Sequence, residues 1–166
     1  MFRTLTAATA ATFFATAAWS QQAGAVTDPA EFAQKAAVSN MFEIQSSQVA
    51  LEKGVEGEVA DFAQRMVDDH TAAGERMKAA ASEAGVEVPA ELDAEHQAKL
   101  ESLQAAQGAD LMRAYVDAQV QGHEQAVQLF EGFSTGGPDG PLKDFAGETL
   151  PTLQDHAEMI RGIAGE

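Results

Sequence analysis

The sequence predicts an all-α protein, a ferritin-like four-helix bundle with a long crossover containing a short helix between its second and third main helices. From Asp28 onward the chain is rich in Ala, Glu, Gln and Met, and its apolar residues recur at helical spacings of three and four. The other connections are short, whereas Gly85 and Gly108 are 23 positions apart. A connection of that length can run the whole length of a bundle, as it does in ferritin-like folds with one crossover.

Residues 1–25 are predicted to be a signal peptide. Arg3 supplies a positive charge, residues 5–18 form an apolar run, and small residues follow that run. We expect cleavage after Ser20 or after Ala25, which leaves residues 26–166 as one domain. The apolar run is shorter than the roughly 20 residues that a membrane-spanning helix needs. The mature protein is therefore expected to be periplasmic or secreted, with no membrane span.

Acidic side chains greatly outnumber basic ones. The chain has 26 Asp and Glu against 10 Lys and Arg, a net charge of −16, and loss of Arg3 with the leader would lower it to −17. Nucleic acid and anionic lipid are therefore poor partners, whereas cations are attracted. The sequence contains no cysteine, which excludes disulfides and thiolate ligands for a metal.

Capping signals predict the first two helices. Helix one opens at Asp28, which can cap it, and Pro29 suits the first helical position. That helix is expected to end near Gly54. Helix two is expected to run from about residue 56 to Gly85, since glycine commonly follows the last helical turn.

The crossover contains a proline loop, VEVPAEL, followed by a short amphipathic helix at about residues 93–106. The third main helix starts after Gly108 and is expected to end near Ser134, where the loop STGGPDGP begins. The last helix starts near Pro141 and continues to the C-terminus. Pro151 lies inside it and should kink it unless the preceding turn adjusts.

Three of the four histidines lie in the middle of apolar helix faces. His70, His123 and His156 each fall within a stripe of apolar residues, whereas His96 belongs to the short crossover helix. On helix one, Glu43 lies mid-helix between small residues, but an apolar stripe adjoins it, so periodicity leaves its inward orientation open. With a rise of about 1.5 Å per residue, His70 and His123 lie at the same depth, whereas His156 lies nearer one end by this count. A kink at Pro151 or a shift of the helix ends by one turn would bring His156 level, so one layer near mid-bundle is expected for these four positions.

We predict that these four side chains hold one transition-metal ion. A buried histidine needs partners for both ring nitrogens, and a metal supplies one of them. Three imidazoles and one carboxylate suit zinc, copper, iron, nickel or manganese without choosing among them. The alternative is a buried polar layer in which each histidine is separately satisfied by a hydroxyl, a carboxylate or water. The predicted ligands are Glu43, His70, His123 and His156.

Other patterns carry less information. The carboxylates next to the histidines, Asp69, Glu124 and Asp155, point roughly 100° away on a helix. We expect them at the surface or behind the ligands. The sequence has no glycine loop that would cradle a phosphate and no arrangement typical of a cysteine or serine nucleophile, so no catalytic residue is predicted.

Four segments resemble successive helices of the exported bacterial proteins known as domain-of-unknown-function family 4142. They are FAQKAAVSNMFEIQSSQVALEKG, FAQRMVDDHTAAGERM, GADLMRAYVDAQVQGHEQAVQLFE and LKDFAGETLPTLQDHAEM. The resemblance covers nearly all of the mature chain and implies a ferritin-like bundle. It points to Glu43, His70, His123 and His156 as the family-type positions. The family has no established activity, so the resemblance bears on fold and location more than on function.

The leading functional prediction is an exported protein that binds one transition metal, for sequestration or for protection of the cell envelope against stress. The alternative is a metal-free structural or interaction module of the envelope with a buried layer of histidines. A di-iron oxidase is disfavoured, because such proteins carry Glu-x-x-His on two helices. Here Val67 and Leu153 stand three residues before His70 and His156. Binding is thus favoured over catalysis.

Overall fold

The structure, a computed structural model, describes residues 25–166. The described residues contain no strand and form four long helices and one short one, which confirms the predicted all-α fold. The predicted leader, except for Ala25, lies outside the described residues. In chain order the helices are α1 (Pro29–Glu52), α2 (Glu58–Glu83), α3 (Ala94–Ala105), α4 (Gly108–Gly136) and α5 (Pro141–Ala164).

Each long helix packs mainly against two others. α1 contacts α2 and α4, and α5 contacts the same two helices, so α2 and α4 lie on one diagonal of the bundle. The first halves of α2 and α4 share one apolar cluster and their second halves share another, so the two helices run in the same direction. Residues 84–107 must therefore run the length of the bundle, as predicted for the crossover. The more specific name ferritin-like stays a prediction.

Two apolar clusters lie on either side of a polar layer. The first apolar cluster joins the opening halves of α1 and α5 to the closing halves of α2 and α4. It contains the rings of Phe32 and Phe133, stacked at a centroid distance of 4.0 Å. The second apolar cluster joins the opposite halves and receives Leu100 and Leu103 from α3. Replacing a core phenylalanine by alanine lowers the free energy of unfolding by about 3–5 kcal/mol. The two clusters therefore stabilise the helix positions on both sides of the polar layer.

Local interactions explain where the helices begin and end. The carboxylate of Asp28 accepts a hydrogen bond from the backbone N–H of Glu31 at 2.8 Å, and Pro29 occupies the first turn of α1, as predicted. Gly85 follows α2 with φ +67°, a left-handed conformation that glycine adopts at little cost. Asp93 caps α3 by accepting from the backbone N–H of His96 at 2.9 Å.

The end of α4 and the proline inside α5 can be compared with the predicted helices. α4 continues to Gly136, two residues past its predicted end at Ser134, because the stacking of Phe133 on Phe32 packs its final turns into the core. α5 continues as one helix through Pro151. Proline removes one backbone donor, but Pro151 and Gly147, four residues earlier, are both exposed, so the freed carbonyl can bind water.

Among the helices of residues 25–166, none has the length and apolar character that crossing a bilayer requires.

Candidate metal centre

Three histidines form a compact triangle in the middle of the bundle. The ring centroids of His70, His123 and His156 are 5.4 to 5.6 Å apart, and none of the three residues is more than 5% exposed. Each contributes one potential ligand atom to a group whose members all lie within 4.8 Å of one another. Since the three residues come from α2, α4 and α5, the layer predicted from helix spacing and rise is present for the histidines.

Each histidine uses one ring nitrogen to contact an oxygen behind it. The pairs are Nδ1 of His70 with Oδ1 of Asn40 at 3.1 Å, Nδ1 of His123 with the carbonyl oxygen of Gln119 at 2.9 Å, and Nε2 of His156 with Oδ2 of Asp69 at 2.8 Å. All three oxygens are acceptors, so the facing ring nitrogen carries the proton and donates it. These contacts determine both the tautomer and the orientation of every ring.

The other nitrogen of each ring has no hydrogen-bond partner among the described residues. These atoms are Nε2 of His70, Nε2 of His123 and Nδ1 of His156. Each of these nitrogens has a buried lone pair. Leaving such a group without a partner lowers the stability of the protein by about 1–3 kcal/mol. A metal about 2.1 Å from each nitrogen would bring the three donors to roughly 3.3–3.6 Å from one another. The ligand atoms now lie within 4.8 Å of one another, so a modest contraction of the triangle would bring them to these distances.

Burial keeps the three rings neutral. It lowers the pKa of His70 to about 3, with a further contribution from the two neighbouring histidines, and it lowers the pKa of His123 to about 4. Burial also lowers the pKa of His156, although the hydrogen bond to Asp69 opposes that shift. Neutral imidazole is the form that binds metals, so no proton has to be removed from these rings at neutral pH.

Asp69 reaches from α2 to the histidine on α5. Its Oδ2 accepts from Nε2 of His156 at 2.8 Å and from Nε of Arg65 at 3.1 Å. Burial alone would raise the pKa of Asp69, but the hydrogen bonds from His156 and Arg65, together with the charge of Arg65, outweigh it and lower the pKa. A carboxylate behind a ligating histidine orients the ring and increases its basicity. Asp69 was expected either at the surface or behind a ligand, and its contact with His156 favours the second position.

Glu43 is buried in the same layer but lies outside the triangle. Its side chain faces inward and is 2% exposed, yet its oxygens are not in the group of ligand atoms that the histidines form. A Cβ atom added to Gly122 of α4 would lie 2.6 Å from Oε1 of Glu43, so this carboxyl group packs against that glycine. The structure therefore brings three of the four predicted ligands together and leaves Glu43 beside them.

A polar network extends from Glu43 into the interface between α1 and α4. Burial raises the pKa of Glu43 to about 8, although the neighbouring amide of Gln119 opposes the shift, so its carboxyl group is largely protonated at neutral pH. Nε2 of Gln119 donates to Oγ of Ser46 at 3.1 Å, and the hydroxyls of Ser47 and Tyr115 are 2.9 Å apart. Neither Gln119 nor Ser46 could be identified from the sequence, because isolated polar residues in an alanine-rich helix have no distinctive spacing.

Comparison with known proteins supports the predicted fold and assigns the chain to a family. A family model described as "Domain of unknown function (DUF4142)" matches residues 14–163. Among solved structures, the crystal structure of a DUF305 fragment from Deinococcus radiodurans is similar, with a TM-score of 0.71 and 15% sequence identity. The match covers 86% of this chain and 98% of that one, and at such identity it shows a shared fold alone. A search among curated proteins found no match.

Proposed function

We propose that this chain, which belongs to the DUF4142 family of domains of unknown function, binds one transition-metal ion through His70, His123 and His156. The observation that carries the proposal is a set of three buried ring nitrogens, one from each histidine, that lie beside one another in a single layer and have no partner within residues 25–166. A metal-free polar layer would have to satisfy all three of these nitrogens with water. Only the other nitrogen of each ring has a partner among these residues.

The ligand set narrows the choice of metal. Neutral imidazoles suit zinc, copper, iron and nickel, whereas manganese prefers carboxylate and water oxygens. Soft thiolate chemistry is absent because the sequence contains no cysteine. With Glu43 outside the triangle, zinc, copper and iron fit the nitrogen donors better than manganese does.

The surroundings of the triangle favour holding a metal over transforming a substrate. Apolar clusters pack on both sides of the layer, and the buried Phe62 ring lies in T-shaped arrangements with both His123 and His156, at centroid distances of 5.9 and 6.5 Å. Such packing slows exchange of a bound ion, while the net charge of −16 attracts cations to the protein. We infer sequestration of a metal, or protection of the envelope against stress. The location outside the cytoplasm rests on the predicted leader at residues 1–25.

Thermal unfolding with and without metal tests this function. A metal that binds only the folded state raises the melting temperature by mass action, so one equivalent of the correct ion should stabilise the apo protein. His123→Ala should lose that stabilisation. His96→Ala is the matched control, because His96 lies on α3 and pairs with Asp93 outside the layer. A melting temperature indifferent to zinc, copper and iron would favour the metal-free interaction module instead.

A further inference from the structure

A small cavity lies beside the triangle, on the side of the first apolar cluster. Its volume is about 40 Å³, and one water molecule needs roughly 10–15 Å³ measured in the same way, so the cavity has room for about three small atoms or waters. Its walls include His70 and His156, and the apolar side chains of Met77, Phe130 and Leu153 cover much of the remainder. The cavity therefore reaches two of the three proposed ligands.

Thr149 places a free hydroxyl in the wall of this cavity. The residue is 4% exposed, and its Oγ1 atom has no hydrogen-bond partner among the described residues. A helical threonine ordinarily bonds its hydroxyl to a carbonyl one turn earlier, as Thr71 does with Val67 at 2.6 Å. Thr149 precedes His156 by two helical turns, so both line the same side of α5. An occupant of the cavity would satisfy a hydroxyl that residues 25–166 leave unpaired.

Charge near the cavity favours an anion as the occupant. Three neutral imidazoles do not compensate a divalent ion, and Asp69, the carboxylate in the cavity wall, already accepts hydrogen bonds from His156 and Arg65. At the outer side of the cavity lies Arg76, whose guanidinium carbon is 5.7 Å from the centroid of the Phe145 ring. Electrostatic attraction is stronger in a site of low dielectric constant than in water.

We propose that the fourth ligand of the metal is an exogenous anion of two or three atoms, seated in the cavity between His70, His156 and Thr149. This inference rests on the proposed function, because the metal provides the main attraction for the anion. Three protein ligands leave one coordination position open, the hydroxyl of Thr149 donates to the anion, and Arg76 attracts it at the cavity mouth. The apolar walls and the volume of about 40 Å³ admit small, weakly hydrated anions in preference to phosphate or sulfate.

Cobalt(II) and azide provide the test. Apo protein is loaded with one equivalent of cobalt(II), whose visible absorption reports on the metal, and is then titrated with sodium azide. We expect the cobalt bands to change saturably with azide. Thr149→Val, which keeps the shape of the side chain and removes the hydroxyl, should weaken azide binding about tenfold with little change in cobalt affinity. Thr71→Val is the matched control, because its hydroxyl is bonded to a carbonyl away from the cavity.

Variants of Arg76 test the same anion without disturbing the core. Because Arg76 is exposed, Arg76→Gln should fold normally and weaken azide binding severalfold, whereas Arg76→Lys should retain most of the affinity. Failure of cobalt to bind would overturn the metal site and the anion site together. Cobalt bands that azide leaves unchanged would overturn the anion site alone. Azide binding of equal strength in wild type, Thr149→Val and Arg76→Gln would contradict the cavity as its seat.

Discussion

Nε2 of His156 on α5 lies 2.8 Å from Oδ2 of Asp69 on α2, a contact between residues 87 positions apart in the sequence. The contact leaves Nδ1 of His156 as the buried ring nitrogen without a partner, alongside the free nitrogens of His70 and His123. Arg65 holds the same carboxylate oxygen from the surface side at 3.1 Å. Asp69 therefore links the exposed face of α2 to the orientation of a buried ring.

Asp69→Asn should weaken metal binding by about 10–100-fold, the usual effect of losing a carboxylate behind a ligating histidine. Asparagine can still accept a hydrogen bond, but it lacks the charge that increases the basicity of the ring. Competition with a chromophoric chelator measures the affinity. Asp68→Asn is the control, since Asp68 contacts only Gln64 among the hydrogen bonds observed and is exposed. Equal affinities for all three proteins would mean that Asp69 does not tune the site.

Glu43→Gln should preserve metal binding, because the carboxyl oxygens lie outside the triangle. Isothermal titration of the apo variant with zinc or copper should give the wild-type stoichiometry. Glu52→Gln, an exposed change on the same helix, serves as the control. Loss of stoichiometric binding in Glu43→Gln alone would show that Glu43 moves to the metal and acts as the fourth protein ligand.

The same substitution should also change how stability depends on pH. Burial raises the pKa of Glu43 from 4.5 to about 8, so between these values the folded state holds a proton that the unfolded state has lost. The free energy of unfolding therefore decreases as pH rises through that window. Glu43→Gln should remove this decrease, and urea unfolding of apo wild type and variant at several pH values measures it. Parallel pH profiles for the two proteins would contradict a buried, protonated Glu43.

The histidines should destabilise the apo protein in acid. Burial lowers the pKa values of His70 and His123 from 6.5 to about 3 and about 4, so below pH 6.5 the unfolded state binds more protons than the folded state. Their contribution to stability is present above pH 6.5 and is lost as pH falls toward the folded-state values. Measurement in a Glu43→Gln background removes the opposing effect of Glu43. Replacing His70 by Gln should reduce how steeply the free energy of unfolding falls as the pH is lowered. An unchanged dependence on pH would argue against a neutral buried ring at this position.

Gly122→Ala should destabilise the protein by about 1–3 kcal/mol, because its new Cβ must displace a buried carboxyl group. That Cβ would lie 2.6 Å from Oε1 of Glu43. Gly162→Ala is the matched control on α5, since no atom lies within 4 Å of its added Cβ and alanine favours the helix by up to about 1 kcal/mol. Urea unfolding compares the two. A stabilising Gly122→Ala would indicate that Glu43 does not pack against α4 as observed.

Helical periodicity was sufficient to predict the triangle. His70, His123 and His156 each stand at core spacing on a different helix. A constant rise per residue predicts one depth for His70 and His123, whereas it puts His156 closer to one end of the bundle than the structure does. The three centroid distances, which span only 5.4 to 5.6 Å, confirm one shared layer. The second and third main helices run parallel because the crossover is long, and this too was predicted from its length.

The groups behind the rings could not be predicted in the same way. Asn40 and Asp69 lie at the margins of their helix faces, where a polar residue has the same pattern as one in solvent. Their contacts depend on how closely the helices approach and on side-chain rotamers, and no periodicity contains that information. The position of Glu43 depends on the missing side chain of Gly122, and the extended end of α4 depends on a stacked ring of α1.

Metal content is the most direct test of the central claim. Elemental analysis should be made on untagged protein purified from its own host, alongside His123→Ala and His96→Ala prepared in the same way. We predict about one equivalent of a single transition metal in wild type and in His96→Ala, and less than about a tenth of an equivalent in His123→Ala. Metal-free wild-type protein that also takes up no zinc, copper or iron would contradict the account, as would equal metal content in all three proteins.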